Sequence, residues 1–198
     1  MLTFLGALRR GIERVGAVMN AAGGWLFVVA AFFITFDVLG RKLFSVSSQA
    51  TVEVTGYMLA FGIAWGLTDA LTTRAHIRVD VLVMRLPLGI RVWMHALALA
   101  FLVTLNFFLA WRCWAVVGDS WLFGARDSSA LNTPLIVPQG LWALGISVFF
   151  VLSVATFVEV LLLLLAGERA RVDRSLGPKS LEEETAEALE AAGMGHHP

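Results

Sequence analysis

Four apolar stretches, each long enough to cross a bilayer as a helix, occupy most of this 198-residue chain. They cover roughly residues 17–40, 52–71, 92–117 and 140–166. A helix of about 20 mainly apolar residues spans a hydrocarbon core of about 30 Å. The sequence therefore predicts an all-α integral membrane protein with four transmembrane helices.

The composition agrees with a membrane protein and argues against several other classes. Charged residues make up 15% of the chain, whereas a soluble domain usually has about 25%. The formal net charge is zero, so nothing in the electrostatics favours nucleic acid as a partner. The spans leave no stretch for a separate catalytic domain, and phosphate-loop, dinucleotide and metalloprotease motifs are absent. We expect no enzymatic activity, no cofactor and no metal.

Basic residues are distributed unequally between the two sides of the predicted bundle. Of the 15 Lys and Arg residues, 11 precede span one, join spans two and three, or follow span four, and 4 lie on the other side. Because cytoplasmic connections carry the excess of positive charge, both termini are predicted to be cytoplasmic (N-in/C-in). The first span is too long for a signal-peptide apolar region, so we expect it to remain as an anchor.

The membrane domain, residues 17–166, is flanked by two polar segments. Residues 1–16 alternate apolar and basic positions, which fits either a short amphipathic helix on the inner leaflet or an ordinary basic flank of span one. Residues 167–198 are predicted to be a polar, acidic cytoplasmic tail. Within that tail, Ser180 and Glu183 have the spacing of a capping box for a short helix.

Three charged residues are expected near the outer ends of the first two spans. Asp37 and Arg41 are four residues apart and would share a helix face in the favourable acid-first order. Glu53 opens span two, where a helix N-terminus favours an acid. Either the three residues cluster near the outer membrane face, or they serve only the electrostatics of the helix ends.

The connection between spans two and three is too polar to span a membrane and too apolar for a free loop. Its charged positions include Arg74, His76, Arg78 and Asp80, and it is followed by Pro87. A short amphipathic helix in the inner interface, ended by that proline, is the simplest prediction. Strict alternation from residue 76 to 81 leaves an extended segment as the alternative.

Other isolated polar residues have two interpretations each. His76 and His95 could ligate haem, but no second histidine has matching spacing, and a loop histidine placed beside Asp80 fits better. Glu159, inside span four, is a functional candidate by default, or else it pairs near the headgroups with a basic flank. Cys113 is predicted to be a small buried hydrophobe.

These residues together resemble a known family. The layout has four spans, an Asp37-x-x-x-Arg41 end to span one and Glu53 opening span two. Its most specific part is the loop Arg74-x-His76-Ile77-Arg78-Val79-Asp80, followed by Leu86-Pro87. The pattern, over about residues 15–166, resembles the small membrane (DctQ-like) subunit of tripartite ATP-independent periplasmic (TRAP) transporters.

The resemblance implies a supporting role in ion-gradient-driven uptake of an organic acid at the bacterial inner membrane. A periplasmic binding protein would deliver the substrate to a large multi-span subunit. This chain would form a heterodimer with that subunit, enlarge its fixed scaffold and contact membrane lipids. Asp37, Arg41, Glu53, Arg74, His76, Arg78, Asp80 and Glu159 would then be interface or structural residues, not substrate ligands.

The spans themselves fit a supporting role. Their few charges lie towards the ends, so no ion relay crosses the bilayer. Small residues let helices approach closely, and glycines recur in spans one and two, where they face either the partner or each other. The glycines are Gly16, Gly23, Gly24, Gly56, Gly62 and Gly66.

Two other functions stay open, a membrane anchor of a respiratory oxidoreductase and an autonomous small transporter or channel.

Overall fold

The computed structural model describes residues 2–45, 48, 50–73, 86–129, 131–177, 185 and 189. Four of its helices are long and apolar enough to cross a membrane, which confirms the predicted all-α four-span class, and no strand occurs among the described residues. A fifth, short helix follows the last span. Within the described residues the helices are α1 (Leu2–Phe44), α2 (Thr51–Thr72), α3 (Leu88–Leu122), α4 (Ile136–Leu165) and α5 (Arg169–Leu176).

Helices α1 and α3 extend well beyond the apolar stretches that predict them. The 43-residue α1 runs from Leu2 without a break at residue 16, so residues 2–16 continue the first span and do not form a separate helix. The 35-residue α3 begins directly after Pro87, which has the extended backbone typical of a residue before a helix. The prediction of a short amphipathic helix ended by Pro87 falls mainly on residues 74–85, which lie outside the described residues.

The four long helices run antiparallel in succession, so the bundle has two distinct ends. We call the end that carries residues 45–50 and the loop 123–135 the loop end. The opposite end, with the start of α1, the end of α4 and α5, is the tail end. Helix α4 is central, because it packs against α1, α2, α3 and α5. Helix α3 packs against α4 and α5, and many of its large apolar side chains are exposed.

The contact between α1 and α2 depends on glycine. A Cβ atom on Gly23 would lie 3.0 Å from the carbonyl oxygen of Gly62, and one on Gly62 would lie 3.1 Å from the ring of Phe27. Gly16 packs on Thr68 in the same interface, and Gly66 faces Asn20. Four of the six glycines of the pattern therefore bring α1 and α2 together, whereas Gly24 and Gly56 face open space.

The core around α4 is filled at successive levels. Near the loop end, Ala143 and Ile146 of α4 pack with Ala64 of α2 and with Cys113 of α3, which is buried as the sequence predicts. Further towards the tail end, Phe149 and Leu152 pack with Leu71 of α2 and with Ile12 of α1. At the tail end, Val160 and Leu163 join the buried residues of α3 and α5.

A buried polar pair joins α3 to α4 within this core. The Asn106 amide donates to the Ser153 hydroxyl at 3.0 Å, and that hydroxyl in turn donates to the Phe149 carbonyl at 2.8 Å. Asn106 and Ser153 are 1% and 0% exposed. Polar side chains that bond across helices help to hold membrane bundles together.

Candidate functional site

The polar side chains of the bundle gather mainly at its two ends. At the loop end, the carboxylate of Asp37 is almost fully buried and accepts two hydrogen bonds. Arg41, one turn later in α1, donates to Asp37 Oδ2 at 2.6 Å, which is the contact that the four-residue spacing predicts. The backbone N–H of Ser48 donates to Asp37 Oδ1 at 2.6 Å. Asp37 therefore fastens the α1–α2 connection to the end of α1.

Glu53 belongs to a different set of contacts at the same end. The Ser129 hydroxyl donates to Glu53 Oε2, and the Tyr57 hydroxyl lies 3.1 Å from Glu53 Oε1. The same Tyr57 hydroxyl lies 2.6 Å from Asp127 Oδ2. Because a phenol has only one proton to donate, the shorter contact to Asp127 is the stronger one. These four side chains join the first turns of α2 to the loop 123–135.

The predicted outer cluster is thus two separate sets. Within the described residues, no hydrogen bond or ion pair links Glu53 to Asp37 or Arg41. Asp37 and Arg41 hold the short connection, while Glu53 holds the long loop. All three residues lie at the loop end, but the sequence pattern does not identify Tyr57 and Ser129 as partners of Glu53, or Asp127 as a partner of Tyr57.

The tail end has a second buried charge contact. Arg91, near the start of α3, makes a bidentate contact with Asp173 of α5, with Nε donating to Oδ1 at 2.7 Å and a terminal nitrogen donating to Oδ2. Both side chains are about one-fifth exposed. His95, one turn further along α3, is buried, with Nε2 3.8 Å from Asp173 Oδ1. Asp173 thus connects α5 to the first two turns of α3.

Apolar contacts and a turn complete the docking of α5. Gly167, at φ +78°, adopts a left-handed conformation that glycine tolerates well, and it ends α4. The N–H groups of Gly167 and Glu168 then donate to the Leu164 and Leu163 carbonyls, each at 3.0 Å. Val172 and Leu176, four residues apart on α5, are buried against α3 and α4.

The sequence pattern does not reveal this tail-end cluster. In the sequence, Arg91 is only one of the basic residues that predict the orientation of the spans, and Asp173 is one of many charged residues after span four. The available signal is the apolar pair Val172 and Leu176, at helical spacing in an otherwise polar segment.

The remaining candidates are placed only in part. The four residues of the specific loop motif, Arg74, His76, Arg78 and Asp80, lie outside the described residues. Glu159 is half-buried on α4, near its tail end. Among the residues that the structure describes, no group of three or more His, Cys, Asp and Glu side chains is arranged to hold a metal ion.

At both ends of the bundle, the charged contacts connect parts of the protein to one another. Asp37 bonds to Arg41 of its own helix and to the backbone N–H of Ser48 in the connection that follows. The contacts of Glu53, Asp127 and Asp173 join a helix to a loop or to another helix. Such contacts fix the relative positions of the spans. With four helices long and apolar enough to cross a membrane, the protein is a multi-pass membrane protein. Its helix bundle is stabilised by charged contacts at both ends.

The amino-acid sequence also matches the model of a known protein family. The chain belongs to the DctQ component family of the tripartite ATP-independent periplasmic transporters, whose family model matches residues 30–163. The match runs from the middle of α1 almost to the end of α4, and it includes Arg91 but not Asp173. No curated protein and no solved structure shows significant similarity to the chain.

Proposed function

We propose that this chain is a non-catalytic scaffold for the large membrane subunit of its TRAP transporter. The transporter takes up an organic acid, driven by an ion gradient and supplied by a periplasmic binding protein. The chain lies in the bacterial inner membrane with both termini in the cytoplasm. Family membership supports the transporter component, and the charge distribution supports the orientation.

The observation that carries the scaffold proposal is the filled interior around α4. Apolar clusters occupy successive levels of the bundle, and close glycine contacts join α1 to α2. The buried pair Asn106–Ser153 is a local contact between two helices. A helix bundle packed in this way suits a fixed support better than a moving transport element.

Transport by purified components tests this proposal directly. The large subunit and the binding protein are reconstituted in proteoliposomes with and without this chain, and uptake is measured under an ion gradient. The scaffold role predicts that uptake fails or falls strongly without the chain. Full uptake by the large subunit alone would contradict it.

Co-purification provides the second readout. The tagged chain, expressed with the products of neighbouring genes and extracted in mild detergent, is expected to yield a 1:1 complex with a much larger multi-span protein. Recovery of the chain by itself would count against the proposal. A Soret band in that preparation would then favour a haem-binding anchor, and ion flux in proteoliposomes an autonomous transporter.

A further inference from the structure

A small cavity lies at the loop end, between the last turn of α3 and the start of α4. Its volume is about 240 Å³. Ser120 and Trp121 of α3 form one wall, and Pro134 and Ile136 form another. Arg126 supplies the charge at the cavity. None of these residues belongs to the contacts of Asp37, Glu53 or Asp173.

The backbone around the cavity is well braced. Residues 125–127 pair with residues 133–135 through an antiparallel bridge between Arg126 and Pro134. The Leu135 N–H donates to the Ala125 carbonyl at 3.1 Å, and the Asp127 N–H donates to the Thr133 carbonyl at 3.0 Å. The contacts of α2 with Asp127 and with the loop hold this bridge in place. The backbone of Arg126 is therefore held in place by the fold.

The guanidinium of Arg126 has N–H donors available for a ligand. A guanidinium carries five N–H donors, and within the described residues Arg126 makes one side-chain hydrogen bond, to the Asn132 carbonyl at 3.2 Å. The neighbouring carboxylate of Asp127 bonds to Tyr57 instead. Ser120 is only 8% exposed and lines the same cavity. The cavity thus offers a cation and a hydroxyl to an anionic group.

The surroundings of the cavity are those of the membrane interface. Trp121, Leu122 and Phe123 are consecutive and 74–77% exposed where α3 ends. Exposed aromatic residues at the end of a spanning helix typically lie at headgroup depth. A molecule in the cavity would have its charged end near Arg126 and would meet the start of α4 at Ile136. In the next turns of α4, three apolar side chains are exposed at helical spacing, Val137, Leu141 and Leu144.

We propose that this cavity binds the phosphodiester headgroup of a phospholipid from the leaflet at the loop end. Arg126 and Ser120 donate to the phosphate oxygens, Trp121 covers the headgroup, and an acyl chain lies along the exposed side chains of α4. Charge complementarity selects the phosphate, and the adjoining apolar stripe selects a lipid over a soluble anion. The site does not depend on the scaffold role.

Native mass spectrometry of the full chain in mild detergent tests the proposal. The protein is stripped of loosely bound lipid and then titrated with dioleoyl phosphatidylglycerol, or with dioleoylglycerol, which lacks the phosphate. We expect one tightly retained phosphatidylglycerol and little retention of dioleoylglycerol. Arg126→Gln should weaken phosphatidylglycerol binding by roughly tenfold, as the loss of a charged hydrogen-bond donor implies. Arg112→Gln, at an exposed arginine of α3, should leave binding unchanged.

Two further measurements distinguish a lipid site from a damaged loop and from a site for soluble anions. Arg126→Lys keeps the charge, so it should retain more lipid than Arg126→Gln, and equal loss in both variants would overturn the proposal by indicating a damaged loop. Displacement of the lipid by millimolar inorganic phosphate would show a site for soluble anions and would also overturn it. Unchanged retention by Arg126→Gln, or equal loss by Arg112→Gln, would do the same.

Discussion

Inside a bilayer, single small and polar residues decide how closely the helices pack. Lipid tails are as apolar as leucine, so the helices gain little from burying apolar surface against each other. Close backbone approach and hydrogen bonds between helices remain as the driving interactions. Gly23 at the α1–α2 contact and the pair Asn106–Ser153 at the α3–α4 contact are the clearest examples here.

Adjacent glycines of α1 provide a matched test of close packing. Gly23→Leu should lower the free energy of unfolding by about 1–3 kcal/mol, because its Cβ meets the Gly62 carbonyl and α1 must move away from α2. Gly24→Leu places the same side chain in open space and should have little effect on the isolated chain. Unfolding in mixed micelles measures both. Equal destabilisation by the two variants would refute the assigned contact.

The buried amide–hydroxyl pair is suited to a double-mutant cycle. Asn106→Leu and Ser153→Ala, alone and together, should give a coupling free energy of about 0.6 kcal/mol and no more than about 1.7 kcal/mol, the range found for hydrogen bonds between membrane helices. The same pair of substitutions at Thr104 and Ser147, which do not contact each other, serves as the control. Additive effects at Asn106 and Ser153 would show that their hydrogen bond does not stabilise the bundle.

Residue contacts are predictable from this sequence only when they are local. The Asp37–Arg41 pair follows from a spacing of four residues on one helix. The partner of Glu53 does not, because Ser129 is 76 residues away and reaches Glu53 only after α2, α3 and α4 have packed. Glycine recurrence predicts close helix contacts, but the helix that each glycine faces depends on rotation of the helix about its axis.

Among the elements, the spans are predictable and their ends are not. A long apolar stretch has no alternative to a helix in lipid, since its backbone groups must bond internally. Beyond the apolar stretch, α1 and α3 continue through polar turns that the hydropathy pattern does not mark. Helix α5 is not predicted because its eight residues are mostly polar, and among its side chains that the structure describes only Val172 and Leu176 are buried.

The docking of α5 should depend on its bidentate ion pair. Asp173→Asn or Arg91→Gln should leave the remaining charge, only about one-fifth exposed, without its bidentate partner, and should release α5 from α3. Cleavage by trypsin at Arg169 and Arg171 should then become about tenfold faster, because it requires local opening. Limited proteolysis in detergent measures the rate.

The exposed pair Arg171–Glu168 supplies the control for that measurement. Both side chains are about half exposed or more, so Glu168→Gln should change the cleavage rate little. A reversed pair, Arg91→Asp with Asp173→Arg, should recover part of the protection. Rapid cleavage of the native chain, equal to that of the single variants, would show that α5 is not held by this contact.

For the whole molecule, the scaffold proposal separates assembly from substrate choice. Asp80→Ala, within the residues that the family model matches, should weaken association with the large subunit or lower the yield of the complex, without changing which substrate is transported. Asp119→Ala, at an exposed carboxylate of α3, is the control. Co-purification ratios and competition for uptake measure the two properties. Normal assembly with altered specificity would contradict the scaffold role.

The unequal lengths of α1 and α2 determine how this bundle fits a bilayer. With 22 residues, α2 is about 33 Å long at 1.5 Å per residue, close to the thickness of the hydrocarbon core. With 43 residues, α1 is about 65 Å long and overshoots that core even when tilted. Among the four long helices, α2 is therefore the one whose length is closest to the thickness of the hydrocarbon core. Ile12 of α1 packs beside Leu71 near the end of α2, so the turns of α1 that precede Ile12 extend past the shortest span at the tail end.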